Sequence, residues 1–174
     1  ALITSTRADY GLLRPVAHKL AAAGRLQLVV TGAHLCERLG NTVSEIEADA
    51  PAVNIAARLP IFREKDPDEP VGRTIARTIQ VFDEYFAAHR PGCVLVLGDR
   101  FEIFAVAAAA AARHIPIAHI SGGDVTLGAA DEYYRHCISK MAAVHFPSCA
   151  DSAARLVRMG EDPARVFCVG GAGG

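Results

Sequence analysis

The residues best suited to chemistry lie in one stretch of the chain: His119-Ile-Ser-Gly-Gly-Asp124, followed by Asp131-Glu132-Tyr-Tyr-Arg135-His136. The apolar run from Ile115 to Ile120 reads as a buried strand, and the residues after it are polar. Open α/β sheets place their chemistry beyond the carboxyl ends of such strands. Gly122 and Gly123 would let backbone amides approach a ligand, and Ser121 and Asp124 flank them. A helix is expected to begin near Ala129, with Asp131 and Glu132 in its first turn. Asp131 with Arg135, and Glu132 with His136, are each four apart and share a helix face. The segment suits an anionic or hydroxyl-rich ligand and carries carboxylates that could exchange protons with it.

Three other strand ends contribute candidates. Thr4-Ser-Thr-Arg7-Ala-Asp9 leads into a helix, and Arg7 could fork onto a phosphate or carboxylate, with Asp9 as its only obvious nearby acid. Asp9 also reads as a helix cap. His34, after Thr31-Gly-Ala, either binds a ligand or covers the sheet edge. Gly98-Asp99-Arg100-Phe101-Glu102 puts an acid at the mouth of a crevice. On the plainer reading, Asp99 pairs with Arg100 or caps the next helix, and Glu102 only favours the helix start. Each segment alone is an ordinary surface pattern. Their convergence favours function, because Asp99, Asp124, Asp131 and Glu132 all fall beyond strand ends on the same side, and neighbouring acids push each other's pKa values apart.

The elements that must position these residues alternate. Short β-type runs occur at Ala1 to Thr4, Leu26 to Thr31, Ala52 to Ala57, Cys93 to Leu97, Pro116 to Ile120, Val144 to Phe146 and Val166 to Val169. Helical patterns fit Tyr10 to Ala23, Val71 to His89, Glu102 to Arg113, Ala130 to Ala143 and Ala150 to Met159. Such alternation predicts an α/β fold, a parallel sheet with helices on both faces. Leu59 to Pro70, rich in proline and charge, reads as an exposed loop, and Ala107 to Ala112 as a helix packed closely through small side chains.

With 174 residues, 51% of them hydrophobic, the chain can bury a real core, and a formal charge of −1 gives no reason to expect nucleic-acid or membrane binding. No apolar stretch approaches the roughly 20 residues of a membrane span, and no secretory signal is visible, so a cytoplasmic location is the default. The five cysteines form no Cys-x-x-Cys pair and are read as buried thiols. Neither a metal nor a cofactor is expected: the acids lack His-rich ligand spacing, and the first turn lacks the Gly-x-Gly-x-x-Gly dinucleotide fingerprint.

Six motifs in this order resemble the hydrolysing UDP-N-acetylglucosamine 2-epimerases of bacterial sialic-acid-type pathways and the related domain of the animal bifunctional enzyme. They are Thr6-Arg-Ala-Asp-Tyr-Gly11, Thr31-Gly-Ala-His34, Gly98-Asp-Arg-Phe-Glu102, His119-Ile-Ser-Gly-Gly-Asp124, Asp131-Glu-x-x-Arg-His136 and Met159-Gly-Glu-Asp-Pro163. The resemblance implies a GT-B-like architecture of two Rossmann-like domains, with residues 1–174 as the N-terminal one and the C-terminal one absent. It implies a UDP-sugar substrate, and elimination of UDP from UDP-N-acetylglucosamine to 2-acetamidoglucal with hydration to N-acetylmannosamine. By position, Asp99, Asp131 and Glu132 match the acid/base set, and Arg7 the contact to the nucleotide. Arg100, His34, Ser121, Gly122, Gly123, Asp124, Arg135 and His136 complete the expected substrate site.

Two departures limit the match. Ser121 stands where several relatives carry Glu or His, and the chain stops in Gly-Gly-Ala-Gly-Gly where relatives continue. Little or no epimerase activity is therefore expected of the piece alone. A homo-oligomer is expected of the full-length protein, since the helix from Val71 carries many large apolar groups and relatives associate. The alternatives are a 2-epimerase of another nucleotide-linked amino sugar, as in legionaminic-acid-type pathways, a non-catalytic sugar-nucleotide-binding module, and, more weakly, a glycosyltransferase.

Overall fold

A computed structural model describes residues 1–126 and 131–172. Six strands, β1 (Leu2–Thr4), β2 (Leu28–Thr31), β3 (Ile55–Leu59), β4 (Val94–Leu97), β5 (Ile117–Ile120) and β6 (Val144–Phe146), form one parallel sheet in the order β3-β2-β1-β4-β5-β6. Between them run α1 (Arg7–Ala22), α2 (Val43–Glu47), α3 (Val71–Ala88), α4 (Phe101–Ala112) and α5 (Asp131–Met141), and α6 (Ala150–Arg158) comes after β6.

Successive strand residues face opposite layers, and each layer has its own core. Ile3, Val29, Val94, Val96 and Ile117 pack with Phe82 and Phe86 of α3, Ile103 and Val106 of α4 and Ile138 of α5. Leu2, Leu28, Val30 and Ile120 pack instead with Tyr10, Leu13 and Ala17 of α1 and Ile46 of α2. This division follows from right-handed crossovers: the chain moves one way along the sheet through α1 and α2, then back the other way through α3, α4 and α5. The reversal falls between β1 and β4. On the α1 side, the part of the sheet carrying Leu95, Ala118 and Phe146 borders an open groove of about 840 Å³ near the amino ends of the strands, away from the polar loops.

Helix α1 starts three residues before the apolar pattern suggests, because Thr6 and Asp9 form a capping box: the Thr6 hydroxyl accepts from the Asp9 amide, and the Asp9 carboxylate accepts from the Thr6 amide. The alanines of α4 bring it close to α3, with Ala105, Ala107, Ala109 and Ala110 buried.

Several expectations need correction. Val166 to Val169 is not a strand: Val166 makes a single bridge to His145, while Phe167 and Val169 are exposed, so no seventh strand is present among the described residues. The third strand lies later than Ala52 to Ala57, at Ile55–Leu59. The stretch from Leu59 to Pro70 is anchored, since Ile61 is fully buried and Arg77 donates to both the Ile61 carbonyl and Glu69. That grip holds the Glu69 carboxyl down at about 2. Only Cys36 is a buried thiol, and Cys93, Cys137, Cys149 and Cys168 are exposed. Phe82 and Phe86 are spent on the core between α3 and the sheet, which removes the reason to infer an oligomer from α3. The expected helix start at Ala129 to Ala130 lies outside the described residues.

Phe82 is fully buried in the larger core. Phe82→Ala is expected to destabilise the fold by about 3–5 kcal/mol, read as a lower urea midpoint with an unchanged slope.

Candidate active site

In an open α/β sheet the crevice lies where the strand order reverses, here outside the carboxyl ends of β1 and β4. The loops leaving β1, β4 and β5, together with the first turn of α1 and the first two turns of α5, carry all the candidate catalytic and substrate-binding residues of the sequence but His34.

The loop after β1 is built on a buried carboxylate. Asp9 accepts from the Thr4 hydroxyl at 2.5 Å, the Ser5 amide and hydroxyl at 2.9 Å each, and the Thr6 amide at 3.0 Å. Burial alone would raise its pKa, but His34, 3.8 Å away, and the bonds from Thr4 and these amides outweigh burial and hold it below the usual carboxylate range. Thr4 gives its only proton to Asp9, so His34 Nε2 donates to Thr4 at 3.0 Å, and Nδ1 then accepts from the Thr42 hydroxyl at 2.8 Å. His34 is buried with both nitrogens engaged. Its place is beneath the loop, as support for Asp9, rather than on the crevice surface. Arg7, by contrast, is 73% exposed and is met by Glu45 at 3.0 Å, an acid that local sequence did not suggest. A cation in the first turn of α1 opposes the helix dipole, and an exposed ion pair returns little.

The loop after β4 turns at Gly98, whose φ of +82° suits glycine and whose missing Cβ would meet nothing within 4 Å. Its carbonyl accepts from His119 Nε2 at 2.7 Å, so Nδ1 accepts from the Ser139 hydroxyl at 3.1 Å. His119 is fully buried and its pKa is pushed down to about 4, chiefly by that burial. It is a strut from β5 to β4 and α5.

Arg135 is the hub. Almost wholly buried, its guanidinium donates to the Asp99 carboxylate, to the Asp124 carbonyl at 3.0 Å and to the Thr126 hydroxyl at 2.9 Å. Asp99 thus pairs with Arg135, not with Arg100 as the plain sequence reading had it. Arg100 gives its Nε to Glu102 at 2.5 Å, and although burial works against its charge, Glu102, Asp9 and Asp131 together raise its pKa. Glu102 thus holds Arg100 at the start of α4. Glu132 accepts from the Thr126 amide at 3.2 Å and lies 3.7 Å from His136 Nε2. Asp99, Asp131, Glu132, Arg100 and Arg135 therefore converge on one edge of the sheet.

The Ser-Gly-Gly-Asp turn departs from expectation. A Cβ on Gly122 would fall 2.8 Å from Ser139 Oγ, and one on Gly123 2.4 Å from the Ser152 carbonyl. These glycines admit α5 and α6 rather than a ligand. Asp124 likewise spends its carboxylate on Ser148 at 2.8 Å and Ser152 at 2.5 Å, tying the turn to α6. Ser121 holds a left-handed φ of +63° with its amide donating to the Phe146 carbonyl, a strained conformation for a residue with a Cβ. Ser139 was missed by sequence reading, since a lone serine carries no signal until its partner's position is known, and Thr126, a candidate sugar contact by sequence, instead gives its hydroxyl to Arg135. Among the described residues no group of three or more His, Cys, Asp or Glu side chains could hold a metal ion.

The family model described as UDP-N-acetylglucosamine 2-epimerase matches residues 18–173. The chain belongs to this family. Among curated proteins it is 40% identical over 173 residues to the UDP-N,N'-diacetylbacillosamine 2-epimerase (hydrolyzing) of Legionella pneumophila, covering 98% of this chain and 45% of that protein. It is 36% identical over 171 residues to the GDP/UDP-N,N'-diacetylbacillosamine 2-epimerase (hydrolyzing) of Campylobacter jejuni, with 97% and 44% covered. The UDP-GlcNAc 2-epimerase of Neisseria meningitidis, solved bound to UDP-GlcNAc, shares the fold with a TM-score of 0.83 at 24% identity, covering 98% of this chain and 45% of that one. This epimerase-family chain thus spans a little under half the length of the curated relatives it matches, and its sheet is one half of their GT-B-like architecture.

The His119 strut ties the fold to pH. A histidine near 6.5 when unfolded and about 4 when folded leaves the unfolded state holding the extra proton between those values. Its contribution to stability is complete above about pH 6.5 and is lost as pH falls toward 4, by about 3 kcal/mol at most. His119→Gln should flatten this part of the pH dependence of the urea midpoint, relative to the parent chain.

Proposed function

We propose that this chain supplies the N-terminal half of a hydrolysing 2-epimerase acting on a UDP-linked 2-acetamido sugar. The observation that carries this is the meeting of Asp99, Asp131 and Glu132 with Arg100 and Arg135 at the sheet's switch point. The chemistry needs such a set. A base removes the proton from C2, the electron pair forms the C1–C2 double bond, and the C1–O bond breaks with its pair leaving on the diphosphate. Water then adds back, its hydroxyl to C1 and a proton to C2 from the opposite face. Carboxylates serve as acid and base, and cations stabilise the departing diphosphate. Arg7 and Arg100 flank the crevice from adjacent strands and suit the nucleotide end.

UDP-N-acetylglucosamine is the substrate expected from the sequence motifs. Two relatives, at 36% and 40% identity, carry names with N,N'-diacetylbacillosamine, a third at 36% is named polysialic acid biosynthesis protein P7, and the UDP-N-acetylglucosamine 2-epimerase of Neisseria meningitidis stands at 31%. The 40% relative makes the diacetylated sugar the second substrate to test. Ser121 and Thr126, at the mouth of β5, stand where the two substrates would be told apart.

In the full-length protein, UDP release with each sugar, and NMR of the product, tests both readings. Release of UDP with the C2-inverted free sugar supports the epimerase, and absence of release with both sugars would refute it. Asp99→Asn, Asp131→Asn and Glu132→Gln should each lower turnover by roughly 10²–10⁴-fold while UDP still binds. Unchanged turnover in all three would leave only a binding module. Separately, residues 1–174 alone are expected to turn over at least tenfold more slowly than the full-length protein, a comparison of initial rates under one set of conditions.

A further inference from the structure

Glu102 is a carboxylate that the acid/base reading does not use. It lies in the first turn of α4 with its side chain fully buried. Oε1 accepts from Arg100 Nε at 2.5 Å, and Oε2 is buried with no partner among the described residues. An unpartnered carboxylate oxygen in a dry interior destabilises a fold, and the positive end of α4 offsets only part of that. Local stability therefore does not explain a glutamate here.

Its partner does. Arg100 is half-exposed and makes no hydrogen bond through Nη1 or Nη2 to any described residue. The carboxylates of Glu102, Asp9 and Asp131 together favour its charge, yet its one side-chain hydrogen bond goes to Glu102. A guanidinium gripped at Nε has its plane fixed, with both terminal nitrogens left to form a fork that matches phosphate oxygens. Without that grip the guanidinium would be free to turn, and its fork would not be preset.

We propose that Glu102 is a positioning residue, whose buried carboxylate holds Arg100 by Nε so that its two terminal nitrogens form a preset clamp for the diphosphate of the nucleotide sugar. This rests on the proposed UDP-sugar substrate. It adds a requirement that acid/base residues do not impose: orientation of a cation before the ligand arrives, which lowers the entropy lost on binding.

Calorimetry on the full-length protein, with UDP and uridine as probes, tests it. Glu102→Met should weaken UDP binding by roughly tenfold to a hundredfold, leave uridine binding unchanged, and leave the melting temperature equal or higher because the orphaned oxygen is gone. Glu102→Gln keeps a carbonyl acceptor for Nε and should lose less. Arg100→Ala should lose at least as much as Glu102→Met, and the double variant Arg100→Ala/Glu102→Met no more than Arg100→Ala, because Glu102 acts only through Arg100. UDP binding unchanged in Glu102→Met, or losses that simply add in the double variant, would overturn the positioning role while leaving the substrate reading intact. A parent protein that binds no UDP would instead remove the substrate reading, and the clamp with it.

Discussion

A buried guanidinium has to be matched where it lies, and Arg135 sets the terms for everything around it. Taken out of water, its charge needs a carboxylate and its donors need acceptors. Asp99 supplies the carboxylate from the end of β4, and the Asp124 carbonyl and Thr126 hydroxyl supply acceptors from the loop after β5. One side chain of α5 thus fixes two strand ends and its own helix together. Removing it would leave Asp99 without its partner and the β5 loop without its anchor.

The other buried polar groups extend the same constraint. Asp9 gathers the loop after β1, His34 supports it from the loop after β2, and His119 joins Gly98 to α5. Each is a short-range bond in a poorly screened interior, where geometry tolerates little drift. The carboxyl edge of the sheet is therefore a rigid polar layer above two apolar cores. Such rigidity suits the proposed reaction, whose acid and base must stand on opposite faces of one sugar ring, since a displacement of about an ångström separates a proton from its acceptor.

The sheet and most helices were legible in the sequence because a parallel sheet buries both faces and leaves continuous apolar runs between amphipathic helices. β6, α3 and α6 fall within a residue of where their patterns place them. Where reading failed, the missing information was tertiary. Val166 to Val169 has strand composition but only one pairing contact. Cys93, Cys137, Cys149 and Cys168 looked like core residues by type, yet exposure depends on which side of an element faces outward. Gly122 and Gly123 showed that a close approach was needed there, but not that the approaching groups were Ser139 and Ser152. The acids stood out because they are charged and sit behind strands. Their pairing did not, since Asp99 and Arg135 are 36 residues apart and Arg100 is adjacent.

That re-pairing bears on how the crevice divides its charges. Had Asp99 bonded Arg100, as adjacency suggests, one acid and one cation of the site would have cancelled, and Arg135 would have needed another counter-ion. Instead each arginine takes a different carboxylate: Arg135 is consumed by structure through Asp99, and Arg100 is restrained through Glu102 with its terminal nitrogens unspent. Asp131 makes no ion pair among the described residues, and Glu132 meets only the Thr126 amide and a more distant His136. The crevice therefore keeps at least one unpaired acid and one available cation side by side. Left to local electrostatics they would neutralise each other. With Arg100 held by the buried Glu102, the two can act on opposite ends of one ligand, as the proposed proton removal and diphosphate departure require.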